Sequence, residues 1–164
     1  MAVLIRKAVP KDAEQLASLM KQVEQSGLML FDPGERKTTP EQLQQRLFSM
    51  GQESIVFVAE EGQQLMGYLF AIGEEIQRKQ HSIHIAIGVS RRERGKGIGC
   101  QLFVAMEEWA KDKEIRRIEL TVLEHNHAAI ALYKKRGFVV EGLKRESIGI
   151  GGNYMNEWFM SKLL

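Results

Sequence analysis

An apolar strand, a basic glycine loop and an amphipathic helix follow one another without a break over residues 85–109. This succession limits the folds open to the chain. The segment reads IAIGV, then SRRERGKG, then IGCQLFVAMEEW. Ile85, Ile87 and Val89 alternate as one face of a strand, whereas Ile98, Leu102, Ala105, Met106 and Trp109 recur at helical spacing. Between them lie Gly95, Gly97 and Gly99, interleaved with Arg91, Arg92, Arg94 and Lys96. Glycine lets a backbone turn sharply and come close to a ligand. A helix start offers unpaired N–H groups and the positive end of its dipole. With the neighbouring cations these make a site for a phosphate or pyrophosphate. The competing reading is a surface turn with solvated charges.

The 164 residues suffice for one domain with a sizeable core, and no interior stretch is rich enough in Pro, Gly or Ser to mark a boundary, so residues 1–164 are expected to form a single domain. A formal net charge of +2, without a long basic run, argues against nucleic acid as a partner. One cysteine excludes an intrachain disulfide, and no Cys/His group has zinc spacing, so no metal is expected. The opening MAVLIRKAVPKD lacks the apolar region of a signal peptide, and no apolar run is long enough for a bilayer. The expectation is a cytoplasmic protein that does not engage a membrane.

Along the chain, Leu4–Ala8 reads as a strand and Asp12–Gln25 as a helix with Ala13, Leu16, Leu19, Met20 and Val23 on one stripe. A second helix begins at Pro40, with Thr39 and Gln42 forming a capping box and Leu43, Leu47 and Phe48 facing the core. Ser54–Glu60 and Leu65–Gly73 form a hairpin by composition, and His81–Val89 is the strand before the glycine loop. Arg117–Leu123 alternates cleanly, and a strand, a helix and a further strand suggest a crossover with parallel strands. Asn126 caps a helix stopped by Gly137, and Phe138–Leu143 and Asn156–Ser161 are the last strands, joined by a loop holding Gly149, Gly151 and Gly152. The sum is a mixed α/β sheet of six or seven strands with about four helices.

Two segments carry a family resemblance: Val89–Gly99, VSRRERGKGIG, and Asn126–Phe138, NHAAIALYKKRGF. Both resemble signature segments of the GNAT superfamily, the acetyl-coenzyme A-dependent N-acetyltransferases. The first matches the family's loop through Arg92, Gly95 and Gly97; the second matches through Asn126, Ala129, Leu132, Tyr133, Gly137 and Phe138. The order of elements agrees along nearly the whole chain. The resemblance implies the α/β GNAT fold, in which the central strands near Ile85–Val89 and Arg117–Leu123 splay apart and the pantetheine arm of acetyl-CoA enters the wedge. A parted pair leaves main-chain groups in want of partners, and a chain of amides can supply them like an added strand. Gly88 stands where a bulge would help open that wedge.

The resemblance further implies roles. The main chain of Arg94–Gly99, including Lys96 and Ile98, would hold the pyrophosphate, with Arg91 or Arg92 either touching phosphate or solvated. Ile87, Gly88, Val89, Asn126 and Ala129 would line the pantetheine, and the Val89 N–H would face the oxyanion. Tyr133 would serve the departing thiolate; it lies two helical turns after Asn126 and so on the same side. A base for the amine falls near His84, with His81, Glu74, Glu75, Glu119 and His125 as further candidates. Cys100 reads as a small buried residue.

The acceptor is an amine of unidentified structure, its site shaped by residues 28–37 and 147–156. Trp158 and Phe159 suit the core, a homodimer contact or the acceptor wall, and Asp32, Glu35, Glu146 and Glu157 read as solvated charge or as a lure for a cationic amine. Two other classes remain. One is a non-catalytic acyl-CoA sensor. The other is a Rossmann-type nucleotide enzyme, whose G-x-G-x-x-G fingerprint the loop lacks although Glu119 stands 20 residues after Gly99.

Overall fold

The computed structural model describes residues 2–164. Seven strands form one sheet: β1 (Leu4–Lys7), β2 (Ile55–Glu61), β3 (Gln64–Gly73), β4 (Ser82–Val89), β5 (Arg117–Leu123), β6 (Val139–Ile150) and β7 (Asn153–Leu163). Their order across the sheet is β1-β2-β3-β4-β5-β7-β6. The four α-helices are α1 (Ala13–Glu24), α2 (Pro40–Ser49), α3 (Ile98–Asp112) and α4 (His127–Lys135).

Alternation along the strands sends side chains to two cores. On one face Leu16, Val23 and Leu43 of α1 and α2 pack against Val56, Val58, Tyr68 and Phe70. On the other, Leu102, Phe103 and Met106 of α3 and Tyr133 of α4 pack against Ile83, Ile85, Ile118, Leu120 and Met160. Gly67 on β3 admits the first turn of α3: a Cβ there would stand 3.2 Å from Ile98 Cγ2 and 3.3 Å from Leu102 Cδ1.

Every neighbouring pair is antiparallel except β4 and β5. That parallel pair joins only at Ser82–Arg117, Ile83–Ile118 and His84–Glu119. Beyond His84, β4 stays with β3 as far as Val89, and β5 stays with β7 as far as Leu123. The two centre strands therefore part at their C-terminal ends. This mixed sheet is not the parallel sheet of a Rossmann fold, and that reading falls.

Several sequence expectations need correction. Gly88 makes no bulge, since β3 and β4 pair in continuous register through Tyr68–Gly88. It is glycine because the Tyr68 ring lies where its Cβ would be. Phe48 does not face the core; it is 76% exposed, because the short α2 buries only the narrow stripe through Leu43 and Leu47. The capping box of Thr39 and Gln42 forms, with bonds of 3.1 and 2.9 Å. The last two strands are longer than their apolar segments. β6 runs to Ile150 as a largely exposed edge strand with register shifts after Val140 and Lys144, so it shows no clean alternation. The turn is only Gly151-Gly152, both at positive φ.

Candidate active site

A cavity of about 650 Å³ fills the gap between the parted strands. Its walls include Ile85–Val89 of β4, Leu120–Leu123 of β5, Gly97, Gly99 and Cys100 at the start of α3, and Asn126, Ala129, Leu132 and Tyr133.

The hydrogen-bond phase of the strands decides which main-chain groups face the gap. The Ser90 N–H donates to the Met66 carbonyl at 2.7 Å. Antiparallel ladders alternate, so Gly88 and Ala86 share that phase and turn their N–H and C=O toward β3. Ile85, Ile87 and Val89 turn theirs toward β5, which has left the pairing. On the other wall the Glu124 N–H donates to the Asn156 carbonyl at 3.0 Å. Val122 and Leu120 therefore bond to β7, and Thr121 faces the gap. Buried main-chain groups require partners, and an extended amide-bearing chain laid between the strands would provide them.

At the open end of the gap, Gly95 and Gly97 hold φ of +79° and +81°. A Cβ at either would meet nothing within 4 Å, so glycine is required by backbone conformation, not by space. Gly97 occupies the N-cap of α3 and supplies no side-chain cap. The Gln101 N–H is bonded to the Gly97 carbonyl at 3.1 Å, so the amides of Ile98, Gly99 and Cys100 precede the helical ladder. Arg94 reaches the cavity wall, but Arg92 and Lys96 do not; Lys96 instead donates to Glu93 at 3.0 Å. Cys100 is half-buried at the wall.

Across the gap, Asn126 caps α4, its Oδ1 accepting from the Ala129 N–H at 3.3 Å. That bond fixes the side chain and leaves its NH2 free to donate elsewhere. Tyr133 follows two turns later, its ring held edge-on by Phe103 at 5.8 Å and tilted against Phe138 at 6.1 Å. Burial pushes its phenol up to about 12, so the hydroxyl remains a proton donor throughout the neutral range.

At the vertex, where pairing stops, His84 is half-exposed on the wall and its Nδ1 lies 4.0 Å from Glu119 Oε1. Glu119 also accepts from Arg117 Nε at 3.0 Å, and Arg117 makes a two-pronged contact with Glu141 at 2.7 and 2.8 Å. His81, Glu74, Glu75 and His125 do not reach the cavity wall.

The cavity wall also includes residues on the face that carries α1 and α2. There the cavity is bounded by Leu28, Met29 and Leu30 from the α1–α2 connection, Ala86, Thr121, Ile148 and Glu157. A buried ion pair anchors that connection: Arg36 Nε donates to Glu24 at 2.6 Å and stacks over Phe31 at 4.4 Å. The solvated reading of Glu157 is overturned, since it is 8% exposed. Its burial has no signal in a local stretch as polar as NYMNEW, because it depends on β7 lying between β5 and β6.

Among the described residues no group of three or more His, Cys, Asp or Glu is placed to hold a metal, and no helix is long and apolar enough to cross a membrane.

A mixed seven-stranded sheet parted at one parallel pair, with a glycine-opened helix at the mouth, defines an acyltransferase type of fold. Residues 20–138 match the model of the Acetyltransferase (GNAT) family, and the chain belongs to that family. A solved GNAT acetyltransferase from Streptococcus pneumoniae superposes with a TM-score of 0.93 at 28% identity, over 99% of each chain. A phosphinothricin acetyltransferase from Sinorhizobium meliloti, solved in complex with acetyl-CoA, shares the fold with a TM-score of 0.88 at 22% identity, over 100% of this chain and 89% of that one. The L-amino acid N-acetyltransferase AaaT of Escherichia coli is 30% identical over 100 residues, 60% of this chain and 62% of that one. The chain thus spans less than two thirds of the curated relatives it matches.

Proposed function

We propose that the protein is a cytoplasmic, acetyl-CoA-dependent N-acetyltransferase, one domain over residues 1–164, that passes the acetyl group directly to a primary amine in a ternary complex. The observation that carries this reading is the parted β4–β5 pair, whose unpaired main-chain groups run from the amide-rich start of α3 toward Tyr133.

The residues present suit acetyl-CoA. The amides from Gly95 to Cys100 receive the diphosphate, with Arg94 beside them. Ile87, Thr121 and the Val89 carbonyl would pair with the pantetheine amides, and the Asn126 NH2 would donate to the same arm. Bound acetyl-CoA supplies an activated thioester carbonyl. The Val89 N–H, turned into the gap, donates to the carbonyl oxygen as it gains charge. The amine nitrogen bonds to the carbonyl carbon while the C–S bond breaks. Tyr133 gives its proton to the leaving sulfur. The acceptor ammonium loses one proton before attack and a second as the amide forms. Both pass to water, by which His84, five strand residues from Val89 at the vertex and in contact with solvent, can be reached, and the Tyr133 phenolate regains its proton from water.

Melting curves with acetyl-CoA and with NAD, followed by thiol release over a panel of amines, test the reading. Acetyl-CoA at a large excess over its dissociation constant is expected to raise Tm by several degrees, NAD to leave it unchanged, and an amine in the panel to release thiol. A Tm rise without thiol release from any amine would favour a sensor of acyl-CoA instead.

A further inference from the structure

The cavity wall carries charge of both signs: Arg94, Lys135 and the loop amides, Glu93, which is paired with Lys96, and the carboxylate of Glu157. Leu28, Met29, Leu30, Ala86 and Ile148 belong to the same wall, and Leu28 also lines a smaller hollow with Arg91 and Arg94.

Glu157 is poorly satisfied where it stands. Its ionic neighbour is Lys144 Nζ at 3.7 Å, beyond hydrogen-bond distance, and that lysine is half-exposed. The Glu157 oxygens are not sealed among the buried unpartnered atoms and so open on the cavity, where a donor can reach them. The residue sits in register with Leu123 on β5 and Lys144 on β6, and it faces the same side of the sheet as Ser161, away from Met160 and the α3 core. Its oxygens are therefore turned to the α1–α2 side of the gap, opposite Tyr133.

We infer that Glu157 receives the ammonium of the acceptor, and that the acceptor is a singly charged primary amine with an uncharged apolar body. A hydrophobic residue's amino terminus whose own carboxyl is amidated or peptide-bonded meets that description. The ammonium provides the donors that Glu157 lacks, and the apolar walls take the hydrocarbon. A second negative charge on the acceptor would be brought toward Glu157, whose charge already faces the neighbouring Lys144 at 3.7 Å, while Arg36 and Arg117 are committed to Glu24 and Glu141. The inference rests on the acetyl-transfer reading above and adds the substrate class.

The experiment compares leucinamide with free leucine as acceptors, using the full chain and Glu157→Gln and Glu157→Asp variants. Wild type is expected to favour leucinamide by about tenfold in kcat/KM. Glu157→Gln is expected to raise the leucinamide KM about tenfold, the loss of one charge-assisted bond, with acetyl-CoA affinity unchanged. Glu157→Asp recovers part of the loss. An unchanged KM in the Gln variant overturns the inference, as does free leucine matching leucinamide. So does failure of leucinamide where other amines release thiol. If the Gln variant does not fold, the Asp variant and the wild-type comparison decide. Absence of any Tm rise with acetyl-CoA would instead remove the acetyl-transfer reading, which separates the two failures.

Discussion

The two mouths of the cavity are built on different principles. On the α3–α4 side the proposed contacts are mostly main chain, from amides at a helix start, glycines at positive φ and strand groups turned into the gap, with Arg94, Asn126 and Tyr133 adding side chains. At the α1–α2 mouth they are carried by side chains from separate elements: a connection after α1, the face of β4, and the long β6–β7 hairpin. Main-chain recognition ignores side-chain identity and suits a ligand that does not vary. Side-chain recognition changes with each substitution and suits a partner that differs between relatives.

The contrast is tested first by its shared floor. Phe103 is fully buried and touches Tyr133 and Phe138 edge-on. Phe103→Ala is expected to cost about 3–5 kcal/mol in denaturant melts. The exposed Phe48→Ala shifts stability by no more than about 0.5 kcal/mol. Next, Tyr133→Phe is expected to lower kcat about a hundredfold with acetyl-CoA affinity unchanged, as read by turnover and calorimetry. The phenol donates only below its pKa. With that value near 12, wild-type turnover loses nothing to Tyr133 ionisation between about pH 7 and pH 10, and an alkaline fall in that range with its midpoint absent from the Phe variant would contradict the assignment. The smallest effect on activity sharpens the comparison most. A Cβ at Gly97 would meet no neighbour, yet Gly97→Val strains a backbone at φ +81°. It is expected to weaken acetyl-CoA about tenfold while leaving the acceptor KM unchanged.

The same contrast governs what could be read from the sequence. The α3–α4 mouth was legible because its devices are local. Gly95 and Gly97 must be glycine for their dihedral angles, and Asn126 caps the helix that carries Tyr133 seven positions on. The strand pair could be placed by alternation, and the capping box at Thr39 by spacing. Gly88 was misread because its reason, the ring of Tyr68, comes from a neighbouring strand. The β6–β7 hairpin was drawn short because an edge strand with both faces largely wet has no hydrophobic period. Glu157 could not be recognised until β7 was known to lie between β5 and β6. Arg92 and Lys96 looked equivalent to Arg94 in the loop, yet only Arg94 reaches the wall.

The alternation along β4 has a consequence for exchange with heavy water. Gly88 and Ala86 have their amides locked into the ladder with β3, whereas those of Ile87 and Val89, one residue away on the same strand, have no protein carbonyl across from them. Deuterium uptake along this strand should therefore rise and fall with a period of two. A ligand laid in the gap would flatten that comb by slowing every other tooth, so the strand itself reports occupancy.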